Sequence, residues 1–120
     1  MQNTIENISF RKLEAEEVNF TASWKVGSLT NVTYSELVKI FGQPTYNEPS
    51  GDEKVQVEWC IEVNGDGFIY ELYIYDYKTF DRNYTKNNLT TWSIGGTDKG
   101  SVEPLVLYVH AMQRAKKLIQ

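Results

Sequence analysis

Three constellations in the chain carry residue types that could do chemistry. The first is Trp92-Ser93-Ile94-Gly95-Gly96-Thr97-Asp98-Lys99-Gly100-Ser101, an apolar stretch that passes through glycines into a helix start. Glycines let backbone N–H groups converge, and a helix start adds unsatisfied donors at the positive end of its dipole. Gly95, Gly96, Thr97 and Lys99 are therefore candidates to hold a phosphate, with Ser101 assisting. The spacing matches neither G-x-x-x-x-G-K-[ST] nor G-x-G-x-x-G, and the same glycines would serve a plain strand-to-helix turn.

The second constellation is aromatic. Tyr73, Tyr75 and Tyr77 recur at a period of two, with Trp92 on a neighbouring predicted strand and Lys78 and Arg82 close by. Such a face can stack a base while the cations meet its phosphates. Packing under the C-terminal helix, or contact with a second copy of the chain, would use the same residues. The third is acidic: Glu58 and Glu71, with Glu62 and Asp76 on or near the same sheet. Paired carboxylates can share a proton or bind a divalent ion. Without a histidine or a dense aspartate cluster this is a poor metal signature, and ordinary strand charges relieved by Lys54 account for it equally.

The familiar catalytic arrangements do not occur. The one histidine, His110, falls on a predicted helix far from the one cysteine, Cys60, which cannot form an internal disulfide. No Ser-His-Asp or H-E-x-x-H pattern is available. A non-enzymatic protein with no cofactor and no metal is the expectation.

The elements that must position these residues follow from period and punctuation. Val55, Val57, Trp59, Ile61 and Val63 alternate with polar residues up to Asn64-Gly65, a dipeptide suited to a type I′ turn. A two-residue loop there would pair Ile61 with Phe68, Trp59 with Tyr70 and Val57 with Leu72 on one face, and Glu58 with Glu71 on the other. This predicts a central hairpin over 54–76. Val18, Phe20, Ala22, Trp24 and Val26 also alternate, so a strand over 17–26 is expected to join the stretch near Ile8 and Phe10 as an N-terminal hairpin. Residues 27–32 read as a connector. Thr33 and Glu36 make a capping box, and Gly42 and Pro44 end the helix, giving a helix over 34–41. Residues 79–88 look turn-like, 89–94 form a strand, and Pro104 fixes the start of a C-terminal helix over 102–117. The fold class is α+β, an antiparallel sheet with two helices.

The 120 residues suit a single domain, 1–120, and 41% hydrophobic content supports one core. A net charge of −4 leaves no basic face for DNA or RNA. No apolar run is long enough to span a membrane, and residues 1–8 do not read as a secretion signal, so a cytoplasmic location is expected.

Four segments resemble a group of small phage-encoded proteins. They are Thr33-Tyr34-Ser35-Glu36-Leu37-Val38-Lys39-Ile40-Phe41-Gly42-Gln43-Pro44, Lys54-Val55-Gln56-Val57-Glu58-Trp59, Ile74-Tyr75-Asp76-Tyr77-Lys78 and Trp92-Ser93-Ile94-Gly95-Gly96. The group commonly carries histidine where this chain has Ser93, so a role for that histidine does not transfer. The group is similar to viral sponge proteins of the anti-CBASS type, which sequester cyclic nucleotide immune signals. The resemblance implies an immune-evasion protein in the host cytoplasm, a homo-oligomer that binds a cyclic dinucleotide without hydrolysing it. Tyr73, Tyr75, Tyr77 and Trp92 would stack the bases with Lys78 meeting their phosphates, and Gly95, Gly96, Thr97 and Lys99 would hold phosphate. The acidic balance and small size suit a second reading, an inhibitor that binds a host defence nuclease or CRISPR component. A phosphodiesterase-like enzyme using Glu58 and Glu71 ranks third.

Overall fold

A computed structural model of the chain describes residues 8–19, 23–51 and 54–119, with side chains as far as 116. Five strands, β1 Ser9–Lys12, β2 Trp24–Thr30, β3 Glu58–Gly65, β4 Phe68–Tyr75 and β5 Thr91–Gly96, make one sheet in the order β1-β3-β4-β5-β2. Every neighbouring pair is antiparallel. Helices α1 Tyr34–Phe41, α2 Arg82–Asn87 and α3 Val102–Ile119 complete the α+β architecture that the sequence periods predict. None of the described helices is long and apolar enough to cross a membrane.

Helix α1 forms where its punctuation places it. Thr33 Oγ1 accepts from Glu36 N at 3.2 Å, Glu36 Oε1 accepts from Thr33 N at 3.0 Å, and Gly42 closes the helix at φ 87°. Two buried indoles then tie both ends of α1 to the sheet. Trp92 Nε1 donates to Val32 O at 2.8 Å just before the helix, and Trp59 Nε1 donates to Gly42 O at 2.9 Å just after it. The two rings meet edge-on, with centroids 5.5 Å apart. Around them Ile61, Leu72, Ile74 and Ile94 from the sheet pack against Leu37 of α1 and Leu105 and Val109 of α3. One face of the sheet is thus the main core.

The central hairpin exists, but its register differs from the expected one. Ile61 faces Leu72 rather than Phe68, Trp59 faces Ile74 rather than Tyr70, and the turn is Asp66-Gly67 rather than Asn64-Gly65. Both dipeptides are turn formers, and they lie two residues apart. An even shift keeps every side chain on its own face, so apolar still meets apolar. The observed register adds the pairs Asn64–Ile69 and Gly65–Phe68, and the Phe68 ring fills the space over Gly65. Of the two turn residues only Gly67 takes positive φ, at 84°, so the turn is not type I′.

The N-terminal hairpin does not form. β1 pairs with β3 and β2 pairs with β5, which puts β1 and β2 on opposite edges of the sheet. Of the strand expected over 17–26, Phe20 and Ala22 lie outside the described residues; Trp24 begins β2, which runs on through the expected connector to Thr30. A bulge at Val26, between Lys25 and Gly27, breaks the two-residue period. Trp24 is therefore 60% exposed while Leu29 is buried against Trp92.

Two further boundaries move. The turn-like 79–88 stretch contains α2, because Asp81 Oδ1 accepts from Asn83 N at 3.0 Å and Tyr84 N at 3.2 Å. β5 runs to Gly96, so the glycines expected in a loop lie within a strand.

Candidate functional site

The second face of the sheet carries the residues that the sequence singles out. Direct cross-strand partners share a face, so the register writes this face as rows. Tyr46, Glu58, Tyr75 and Ser93 form one row, since Tyr46 bridges Glu58 outside the named strands. Cys60, Tyr73 and Gly95 form the next, and Arg11, Glu62 and Glu71 the third. Leu13, Cys60 and Tyr73 make a small apolar cluster with Val18 and Tyr75 packed on it.

A cleft of about 710 Å³ opens over the first two rows. Its floor is Glu58, Cys60 and Tyr73, with Val55 and Val57 at one end, and residues 45–50 form its wall. That wall is built by backbone and hydroxyl bonds. Tyr46 N donates to Glu58 O at 3.0 Å and Glu58 N returns to Tyr46 O at 2.9 Å. Thr45 Oγ1 donates to Leu13 O at 2.7 Å and accepts from Cys60 N at 3.0 Å. Arg82 holds the far side: Nη2 donates to Asn47 O at 2.5 Å and Asn47 Oδ1 at 2.6 Å, and Nη1 to Gln56 O at 3.1 Å.

Asp76 anchors the other rim. Its fully buried carboxylate accepts from Gln56 N at 2.8 Å, Val57 N at 3.0 Å, Thr79 Oγ1 at 2.7 Å and Thr85 Oγ1 at 2.6 Å. These four bonds satisfy a charge that would otherwise be costly to bury. They also fix the 54–57 segment against α2. The loop they hold contains two non-glycine residues in the left-handed region, Lys78 at φ 60° and Phe80 at φ 54°.

Electrostatics give the cleft one sign. Burial, then the charge of Asp76, raises the Glu58 carboxyl to about 7. Burial, then Glu58, pushes the Cys60 thiol up to about 12, so it stays protonated at neutral pH and is no nucleophile. Tyr73 is raised by burial and by donating its hydroxyl to Glu71 Oε1 at 2.9 Å. Tyr46 and Tyr75 are raised as well, by burial first. All five shifts disfavour negative charge, and among the described residues the cleft lining contains Glu48 and Glu58 but no lysine, arginine or histidine.

The expected site residues do not all converge. Tyr73 lines the cleft, and Tyr75 sits half-buried in the same row as Glu58. Tyr77 is exposed, 6.3 Å edge-on from Tyr75, with Lys78 Nζ 5.3 Å over its ring. Trp92 faces the opposite way: it is buried in the main core with its indole N–H spent on Val32. It cannot stack a base there. A Cβ on Gly96 would meet Leu72 Cδ2 at 2.7 Å, and one on Gly95 would meet Tyr75 Cε1 at 3.1 Å, so both glycines serve close packing. Thr97 borders a separate 160 Å³ pocket with Asn19, Tyr70, Glu71 and Tyr73, while Lys99 is exposed in a 3-10 turn before α3. Ser101 Oγ donates to Asp98 Oδ2 at 2.6 Å, which places a carboxylate where a phosphate was expected.

The Glu58–Glu71 pair also dissolves. Glu58 faces Tyr75, and Glu71 faces Glu62. That like-charge contact is relieved by Arg11 Nη2 donating to Glu62 Oε2 at 3.4 Å and by Asn19 N donating to Glu71 Oε2 at 3.0 Å. Loop composition is the one signal that residues 45–50 carry for their part in the wall. Asp76 stood out only as a carboxylate near the sheet.

The chain matches no protein-family model, no curated protein and no solved structure.

Proposed function

We propose that this chain is a non-catalytic binding protein that captures a nucleotide-type immune signal in the 45–60 cleft and so disarms host signalling. The observation that carries the reading is a 710 Å³ cleft lined by Tyr46, Glu58 and Tyr73. Ligand pockets of roughly 300–1,000 Å³ suit small molecules, and aromatic walls with one polar anchor give orientation. Cys60, protonated at neutral pH, and the separated Glu58 and Glu71 leave no activated nucleophile or carboxylate dyad, which supports holding over hydrolysis. The resemblance to phage sponge proteins supports a cyclic dinucleotide as the ligand and the cytoplasm as the place of action. The acidic cleft turns the ligand round: the base enters, and the phosphates remain outside. Exposed Trp24, Ile69 and Tyr70, away from the cleft lining, support assembly into a homo-oligomer.

The test is direct. The protein is incubated with a panel of cyclic di- and trinucleotides, its melting temperature is recorded, and the ligand is released by heat and analysed. A raised melting temperature with intact ligand recovered is the expected outcome. No shift with any nucleotide overturns the reading, and recovery of cleaved ligand replaces it with an enzyme.

A further inference from the structure

We propose that the cleft reads the hydrogen-bond-donor edge of a guanine-type base, with the Glu58 carboxylate accepting the ring N1–H and the exocyclic 2-amino group. This inference rests on the sequestration reading above and specifies its ligand.

The floor of the cleft, Glu58, Cys60 and Tyr73, is poor in donors. Glu58 receives no hydrogen bond to its carboxylate from any described side chain or backbone group, and no cation is among the described residues that line the cleft. Tyr73 has already given its proton to Glu71, so its oxygen offers only lone pairs. Thr45 has given its proton to Leu13 O. Arg82, the nearest guanidinium on the rim, is engaged with three oxygens of Asn47 and Gln56. An anionic group therefore finds no cation among the described lining residues, and a ligand that satisfies Glu58 must bring donors of its own. A carboxylate takes two parallel N–H donors as a fork, and the N1–H and 2-amino hydrogens of guanine lie side by side on one planar edge. Adenine offers one donor beside an acceptor. Tyr46, Pro49 and Tyr73 supply flat apolar surface for the ring.

The protonation of Glu58 sharpens the discrimination. The titratable and charged groups around it are Tyr46 and Glu48 from the wall, Cys60 on β3, Tyr73 and Tyr75 on β4, and Asp76 just beyond β4. None is a cation. With its carboxyl at about 7, Glu58 is an acceptor pair above that pH and carries a proton below it. Guanine binding thus strengthens from pH 6 to pH 8, whereas the protonated acid can give its proton to adenine N1.

Titration calorimetry of the full chain with 5′-GMP, 5′-IMP and 5′-AMP at pH 6 and pH 8 tests this. At pH 8, GMP is expected to bind about tenfold or more tightly than IMP, which lacks the 2-amino group, and than AMP. Glu58→Gln, whose amide both donates and accepts, is expected to weaken GMP about tenfold and to strengthen AMP. The wild-type comparison stands even if the variant misfolds. Nucleotides that bind without preferring GMP overturn this inference and leave sequestration standing. A GMP preference untouched by Glu58→Gln overturns the role of Glu58. No binding by any of the three, or by cyclic di-GMP, overturns this inference, and sequestration falls with it only if the full panel of cyclic di- and trinucleotides also leaves the melting temperature unchanged.

Discussion

Glu58 sits at the point where strand pairing, burial and charge meet, and its cost can be measured. The folded chain raises its carboxyl from the ordinary 4.5 to about 7. Below 4.5 the group is protonated in both folded and unfolded chains, and folding loses nothing. As pH rises from about 4.5 through 7 the unfolded chain ionises first, so stability falls across that window and stays reduced above it. The full penalty is on the order of 3 kcal/mol. Urea unfolding at pH 4.5 and pH 8 should show the wild type losing stability relative to Glu58→Gln by about this amount. An equal pH dependence in both proteins would refute the burial of the charge. Asp76 lies at the other extreme, a buried carboxylate with every lone-pair direction used. Asp76→Ala strands two hydroxyls and two backbone N–H groups, and should cost at least about 3 kcal/mol in the same measurement. At this scale the sequence was partly legible. Alternation put Tyr73 and Tyr75 with Glu58 on one face, but it could not say that the face was dry enough to move a carboxyl by this much. It also misplaced Trp92, because period two separates the faces of β5 without saying which one the helices cover.

Among the elements, α1 shows the closest agreement between local signals and structure. Thr33, Glu36 and Gly42 cap it as their types dictate, and the two indoles lock it down. Trp92→Phe removes the bond to Val32 O and should cost about 2 kcal/mol. Hydrogen exchange of amides 35–38 should quicken in that variant, which would separate loss of the tether from general destabilisation. The hairpin β3–β4 was legible in existence and in facing, and illegible in register. Asn64-Gly65 and Asp66-Gly67 are both good turn signals, and period two cannot choose between turns an even number of residues apart. Mutation can choose. Gly67→Ala meets a backbone at φ 84° and should destabilise by about 1 kcal/mol, while Asn64→Ala, at an exposed strand position opposite Ile69, should stay within about 0.5 kcal/mol. The reverse result would restore the turn at Asn64-Gly65. The N-terminal hairpin failed for another reason. Adjacent strands in sequence usually pair, but here the first two strands find their partners beyond residue 58, and no local period carries that information.

At the scale of the molecule, the sheet divides two duties. One face builds the core under α1 and α3, and the other carries a carboxylate between tyrosines beneath the 45–50 wall. The wall was invisible in the sequence because its shape comes from bonds that cross the fold, Thr45 to Leu13 and Cys60, Tyr46 to Glu58 and Arg82 to Asn47, not from any pattern within 45–50. Arg82→Ala should release Asn47 and Gln56 together and weaken nucleotide binding more than it lowers the melting temperature. Calorimetry beside thermal unfolding checks this, and equal losses in both would make the clamp purely structural.

The pairing of β1 with β3 and β2 with β5 also sets a timetable. Ser9 meets Asn64 and Trp24 meets Gly96, so the first quarter of the chain waits for partners made much later. During synthesis the hairpin β3–β4 can close as soon as it emerges and β1 can join it, but β2 finds no partner until residue 96 is out. Long-range closures of this kind are slow, with mixed and all-β domains folding over roughly milliseconds to seconds. Leu13 and Val18 pack on Cys60 and Tyr73, so the floor of the cleft joins residues made first to residues made past the middle of the chain, and no ligand site exists until β4 has emerged.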